Sequence, residues 1–192
     1  MIKYVKMLNL SIMSSKKTTK VVIVGGGFGG VKTALELANK PGFVVQLISD
    51  NGYFEYHGAL YRSAVGHSPM EVVIPLSDIF ENAKNVEVVL DSIDTVSGNK
   101  HCLSSQTGQV YSYDQVVFAL GNTVNYFGIE GVEQHSEVMH NINSTIKLRT
   151  KLVSLFNKRH KKPLRIAVIG AGASGVELAA EIPEFAALVA KK

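Results

Sequence analysis

The sequence has little cysteine, no long apolar run and no strong excess of either charge. Its one cysteine, Cys102, excludes an internal disulfide framework, a Cys-x-x-Cys redox pair and a cysteine zinc cluster. So low a cysteine content suits a reducing compartment. No apolar stretch approaches the roughly 18 residues of a membrane-spanning helix, and no metal site is expected. Basic side chains outnumber acidic ones by 20 to 16, a formal net charge of +4. Much of that excess lies in two short clusters: Lys16, Lys17 and Lys20, and the run KRHKK from Lys158 to Lys162. Neither is interleaved with aromatics or set in a nucleic-acid motif, so both read as solvated surface or linker.

What is present is material for a packed core. The chain is 46% hydrophobic and 19% charged, the balance of a globular protein and not of a disordered one. Its 192 residues suit one domain of ordinary size with a small addition. The opening MIKYVKMLNLSIMSSKK is interrupted by Asn9 and Ser11 and leads to no cleavage site. Residues 1–19 therefore read as a disordered tail, with Met13 a second candidate for the natural start.

From Lys20 the pattern becomes regular. KVVIV is a short, wholly apolar strand of the kind buried on both faces of a parallel sheet. Glycines follow it. VKTALELANK then reads as a helix with Val31, Ala34, Leu35 and Ala38 on one side, ended by Pro41 and Gly42. FVVQLIS completes a βαβ unit. Further along, VVIPLSDIF reads as an extended piece entering a short helix capped by Ser77 or Asp78. VEVVL is a strand. TVSGNKHCLSSQTGQVYSY, with turn residues at 97–99 and 107–108, reads as an antiparallel meander. QVVFALG is a buried strand ending in glycine. NINSTIKLRTKLVSLFNKRHKK is a helix with an apolar stripe of Ile146, Leu148, Leu152, Leu155 and Phe156, capped by Asn143 or Ser144 and bounded by Pro163. LRIAVIG then opens a second strand-turn-helix.

Two glycine motifs carry the chemistry. Gly25-Gly26-Gly27-Phe28-Gly29-Gly30 matches G-x-G-x-x-G between a strand and a helix. The first glycine permits the tight turn, the second lets backbone approach a pyrophosphate, and the third lets the helix pack close to its strand. Amides at the helix N-terminus then face the phosphates. The acid that usually binds the ribose, about 20 residues on, is displaced or replaced by Ser49 and Asp50. An exposed loop aspartate is the competing reading for Asp50. The second motif is Gly170-Ala171-Gly172-Ala173-Ser174-Gly175. Glu177 is placed in the first turn of its helix, either as a carboxylate favoured by the dipole or in a catalytic role. Two dinucleotide sites in one chain suggest electron transfer between two cofactors. Tyr53, Phe54, Tyr56, His57 and Tyr61 form an aromatic cluster that reads as a packed loop. Cys102 reads as an inert thiol.

VVIVGGGFGG, NGYFEYHGALYRSAVGHSP, YDQVVFALGNTVNYFGIEGVEQHS and IAVIGAGASGVELAAEI occur in that order over residues 20–182. In them the sequence resembles the two-dinucleotide-binding flavoproteins, the pyridine nucleotide-disulfide oxidoreductase family, and most of all its type II NADH:quinone oxidoreductase branch. The resemblance implies an α/β fold. A Rossmann-like FAD-binding domain, a parallel sheet with an antiparallel meander, would span residues 20–122. A connecting loop and linker helix would span 123–163, and residues 164–192 would begin a second Rossmann-like, NAD(P)H-binding domain. It implies FAD at Gly25, Gly27, Phe28, Gly29 and Gly30, with Ser49 and Asp50 near the ribose. Ile93, in the strand before the meander, would lie near the adenine, and Ala119, Leu120 and Gly121 would form the turn where the chain passes the FAD. NAD(P)H would lie at Gly170, Gly172, Ser174 and Gly175, with Glu177 lining the nicotinamide as the catalytic candidate.

Hydride would pass to the flavin and electrons on to a quinone or other small acceptor. The resemblance implies a cytoplasmic protein, peripheral at the inner membrane face in one version, with a homodimer left open. Family members are longer, and their membrane and quinone contacts come from C-terminal segments absent here. Leu120 stands where the family usually has threonine, Gly58 where proline is common, and Pro183 interrupts a helix it is expected to kink or end. Alternatives stay open: a truncated, non-catalytic nucleotide-binding fragment, or a ferredoxin-type or effector-like oxidoreductase of the same family. Disulfide reductases and sulfide:quinone oxidoreductases are disfavoured by the missing cysteines.

Overall fold

A computed structural model describes residues 18–191. The expected tail lies outside the described residues up to position 17.

The first strand, β1 (Thr19–Val24), organises the fold because it is apolar on both faces. Successive side chains of a strand point to opposite sides. Val21 and Ile23 enter one core, with Val31 and Ala34 of α1 (Phe28–Leu37), Val45 and Leu47 of β2 (Phe43–Ser49), and Leu76 and Phe80. Val22 and Val24 enter a second core on the opposite face, with Ile48, Leu103 and Tyr111. Helices cover the first face and the meander covers the second. The expected apolar side of α1 is only partly buried: Leu35 is 45% exposed, and the helix ends at Leu37, before Pro41.

Between β2 and the next sheet strand lie a short antiparallel pair, β3 (Tyr53–Glu55) with β4 (Val73–Pro75), and the helices α2 (Leu60–Ala64) and α3 (Leu76–Ile79). The α3 helix starts after Pro75, so neither Ser77 nor Asp78 caps it; both already lie inside the helix. Strand β5 (Val86–Leu90) follows. The meander consists of β6 (Ile93–Ser97), β7 (Cys102–Ser105) and β8 (Val110–Ser112). Ile93 therefore opens the meander and does not precede it. Strand β9 (Gln115–Phe118) returns to the main sheet. That sheet has the order β5-β2-β1-β9 and is parallel throughout.

A short helix α4 (Val132–His135) leads to α5 (Ile142–Phe156). Asn141 caps α5, and Ser144 at the third position bonds back to the Asn141 amide as a reciprocal capping box. The cap therefore lies two residues before Asn143, and Ser144 is the box partner. Most of the expected α5 stripe packs inward, with Leu152 buried and Leu148 and Phe156 against the same core, but its first turn differs. Ile142, Thr145 and Leu152 are buried, while Ile146 is 40% exposed.

The last helix is α6 (Ala173–Ala190), and it runs through Pro183 without ending. It packs with α2 and α5 around Ala64, Val65, Leu152, Leu178 and Phe185. The expected strand before it does not form. Residues 163–171 pair with no strand among the described residues, and Ile169 is 72% exposed. A strand exists by its ladder, and an apolar run without a neighbouring edge has none to join.

Candidate functional site

The order of the main sheet places a crossing point between β1 and β9. The chain leaves β1 to build β2 and β5 on one side, then returns to place β9 on the other. A crevice outside the carboxyl ends of the strands, at such a reversal, is where open α/β sheets bind ligands. The first glycine turn occupies it. The Gly25 amide donates to the Ile48 carbonyl at 2.8 Å, and the Ala119 amide donates to the Val24 carbonyl at 2.8 Å. The turn is thus tied to the strands on both sides.

Two positions there admit no side chain. Gly25 has φ +115°, and a Cβ on it would lie 2.2 Å from the Ala119 carbonyl oxygen. A Cβ on Gly30 would lie 1.8 Å from the Gly25 carbonyl oxygen. By contrast, a Cβ on Gly27 would meet nothing within 4 Å, so this backbone faces open space. Gly27 is the N-cap of α1 and offers no side-chain cap, and the first turn of that helix carries no acid. The amide end of α1, with its partial positive charge, is left for an anion.

The strand-end pair divides. Ser49 is buried, and its Oγ lies 2.6 Å from where a Cβ on Gly26 would stand. It is a wall of the turn. Asp50 is exposed and accepts from Asn51 Nδ2 at 3.3 Å. After β9, Leu120 is 70% exposed and Gly121 has φ +75°. Ile93 is half-buried against the core on the meander face.

The aromatic cluster also divides. Tyr53, Phe54 and Tyr61 pack into three separate cores. Tyr56 and His57 are exposed and gather on Phe28 at the glycine turn, with ring centroids 5.9 and 6.3 Å from it. Phe54 meets Phe28 edge to face at 4.8 Å, a favourable aromatic geometry. The loop is therefore packed at its ends and open at the crevice. Cys102 is half-buried in β7.

Two groups of polar contacts were not legible in the sequence. Glu55 is buried, and its carboxylate accepts the Ile142 amide at the start of α5 at 3.0 Å. His57 Nε2 lies 3.5 Å from the same carboxylate. Asp91, just after β5, accepts from Tyr111 Oη at 2.6 Å, the Ser92 amide at 2.8 Å and Thr107 Oγ1 at 3.3 Å. These bonds, Tyr111's first, hold the Asp91 carboxyl below its usual range. Burial, then the bond to Asp91, pushes the Tyr111 phenol up to about 12. The Glu55–Ile142, Asp91–Tyr111 and Asp91–Thr107 contacts join residues far apart in the chain, and no periodicity or spacing marks such pairs.

The second glycine turn has the same local form. Gly170 has φ +112°, and a Cβ on Gly175 would lie 2.1 Å from the Gly170 carbonyl oxygen. Gly172 is the N-cap of α6, again without a side-chain cap. The difference is the setting: a Cβ on Gly170 would meet nothing within 4 Å. Glu177 is the fifth residue of α6, half-buried and beyond the first turn, where it was expected.

Fold and crevice together define a Rossmann-type dinucleotide-binding α/β protein. Residues 19–190 match the family model described as pyridine nucleotide-disulphide oxidoreductase. The chain belongs to that family. It is 30% identical over 179 residues to the type II NADH:quinone oxidoreductase Ndh of Mycobacterium tuberculosis, covering 87% of this chain and 38% of that protein. It is 30% identical over 138 residues to the sulfide-quinone reductase of Aquifex aeolicus, covering 71% and 32%. The structure of NDH2 from Plasmodium falciparum in complex with NADH aligns with a TM-score of 0.73 at 22% identity, over 88% of this chain and 37% of that one. The chain thus spans less than two fifths of the length of each of these three.

Proposed function

We propose that residues 20–122 form an FAD-binding domain, residues 123–163 a connecting loop and linker helix, and residues 164–192 the start of an NAD(P)H-binding domain. The observation that carries this reading is the first glycine turn. It lies at the reversal of the sheet, cannot accept a side chain at Gly25 or Gly30, and leaves the amide end of α1 uncapped. Gly25, Gly27, Phe28, Gly29 and Gly30 would hold the pyrophosphate. Asp50 is the better ribose partner, because Ser49 faces Gly26. Ile93 would border the adenine, and Ala119, Leu120 and Gly121 the other wall. Gly170, Gly172, Ser174 and Gly175 would receive the NAD(P)H pyrophosphate, with Glu177 one turn further along α6.

When bound, FAD supplies acceptance of hydride from NAD(P)H and onward delivery of electrons to a quinone or other small acceptor. The chain's own residues orient and screen. The α1 amides favour negative charge, and Phe28, Tyr56 and His57 shield one side of the turn. Packing of α6 on α2 and α5 ties the second turn to the first domain. The setting proposed is cytoplasmic, with a peripheral position at the inner membrane face if the acceptor is a quinone. A second reading, a flavin-binding chain without hydride transfer, is favoured by the unpaired run 164–169, which leaves the second turn without a neighbouring strand.

The test is to purify the chain and read its absorbance. The expected result is a yellow protein that releases FAD on denaturation. A folded but colourless chain that takes up no added FAD overturns the proposal. Bleaching by NADH without oxygen then separates the readings: reduction supports hydride transfer, and its absence in a yellow protein supports the second.

A further inference from the structure

Glu55 is a buried acid that no lysine or arginine neutralises. It is 8% exposed, and among the described residues its carboxylate pairs with neither type of side chain. A buried charge needs partners. Glu55 Oε2 accepts the Ile142 amide at 3.0 Å, and His57 Nε2 lies 3.5 Å from the same oxygen. Among the described residues, His57 alone can bring it a positive charge, and only when protonated. His57 also reaches the glycine turn. Its ring stands edge-on to Phe28, the first residue of α1, with centroids 6.3 Å apart. The imidazole thus lies between the starts of two helices. Glu55 occupies one, at α5. The other, at α1, has no side-chain cap and no acid in its first turn.

We propose that His57 takes up a proton as FAD binds, and that Glu55 is the positioning residue that holds it for this task. The inference rests on the FAD reading above. Without an anion, the positive end of α1 opposes a charge on His57; a pyrophosphate there reverses the sign. Phosphate, imidazolium and the Glu55 carboxylate then alternate in charge. An imidazole is the side chain whose charge changes between about pH 5 and 8. The neighbouring groups do not compete. Lys32 of α1 pairs with Glu36. Burial, then the charges of Glu55 and Asp50, push the Tyr53 phenol up, so it stays neutral. Asp50 is exposed, and β4, paired to Glu55 at Val73, has no titratable side chain. Tyr56 packs on Phe28 beside His57. His140, two residues before Ile142, is the other histidine on the approach to α5.

The experiment is calorimetric titration of FAD into the flavin-free full chain at pH 7, in two buffers of different ionisation enthalpy. The expected result is uptake of about half a proton per FAD, and correspondingly about tenfold weaker binding at pH 8 than at pH 6. His57→Gln should abolish the uptake and bind weakly at both pH values. His57→Arg should also abolish it but bind tightly at pH 8, because its charge is permanent; a ring that merely packs on Phe28 would not be rescued this way. Glu55→Gln can still accept the Ile142 amide and should lower the uptake by about half. His140→Gln should leave it unchanged. Circular dichroism checks that each variant remains folded. Binding of FAD with no proton uptake overturns the inference and leaves the FAD site standing. Uptake that persists in His57→Gln, or is lost in His140→Gln, does the same. Failure of the folded parent to bind FAD overturns the site reading and this inference together.

Discussion

The two strand-turn-helix units are built from nearly the same local instructions and end in different states. In the first, VVIVGGGFGG runs through a buried strand into the turn, and Ala119 closes against Gly25. In the second, IAVIGAGASG makes the same left-handed glycine and the same close approach six residues across the motif. Its apolar run, however, has no ladder, and Ile166 and Ile169 remain exposed. A glycine turn is thus a local object, while a strand is a relation between segments.

Hydrogen exchange should show the largest difference. Amides of Val22, Ile23 and Val24 lie in the central strand and should open only with global unfolding, which costs about 5–15 kcal/mol in ordinary domains. Amides of Val168 and Ile169 should exchange within the first time points. Equal protection would break the comparison.

Truncation of the apolar runs comes next. Ile23→Ala removes a fully buried side chain and should cost about 2–5 kcal/mol, against at most about 1 kcal/mol for Ile169→Ala, by urea denaturation. Similar losses would mean that the second run is packed after all.

The glycines sharpen the contrast because their backbone angles match. Gly25→Ala adds a collision with the Ala119 carbonyl to an unfavourable φ and should cost roughly 3 kcal/mol or more. Gly170→Ala has the same φ but open space around it, so only backbone strain of about 1–2 kcal/mol is expected. Thermal melts of the two variants, compared with the parent, give the answer. If the Gly170 variant lost as much, the second turn would have a neighbour too.

The smallest effect concerns the pin that only the first unit has. Tyr111→Phe removes the bond to Asp91 and should cost about 1 kcal/mol. The Tyr111 phenol is raised from 10.0 to about 12. Its contribution is therefore complete below pH 10 and lost as pH rises toward 12. The Asp91 carboxyl is lowered, so its contribution is present above its unfolded value and lost as pH falls below it. A pH series of unfolding midpoints should show the alkaline loss in the parent and a smaller one in Tyr111→Phe.

Much of the fold was legible where a signal repeats along the chain. The apolar runs of β1, β2, β5 and β9 and the turn-punctuated meander all stand where periodicity placed them, although β9, expected to be buried, is an edge strand with Phe118 50% exposed. The order of the strands was not legible, because no single segment records its neighbours. Caps were misplaced by two or three residues: Asn141, Asn143 and Ser144 are all chemically able, and only the entry direction of the chain selects Asn141. Pro183 was expected to interrupt α6. Yet the helix continues, with Phe185 beyond it seated in the core of α2 and α5. The glycine positions of the candidate site were visible because each performs a local task. The inward turn of Ser49, the outward carboxylate of Asp50, and the Glu55 and Asp91 contacts were not visible, because they depend on what packs beside them.

By itself the sequence determined the two glycine turns and the helices that follow them. Backbone sterics at Gly25 and Gly170, and the approach of the fifth residue after each, involve only atoms within the same ten residues. Tertiary structure alone decided which turn became one wall of a crevice. Burial of β1 on both faces and closure of Ala119 over Gly25 need β2, β9, α1 and the meander together. Among the described residues nothing supplies the corresponding neighbours to Ile166 and Ile169.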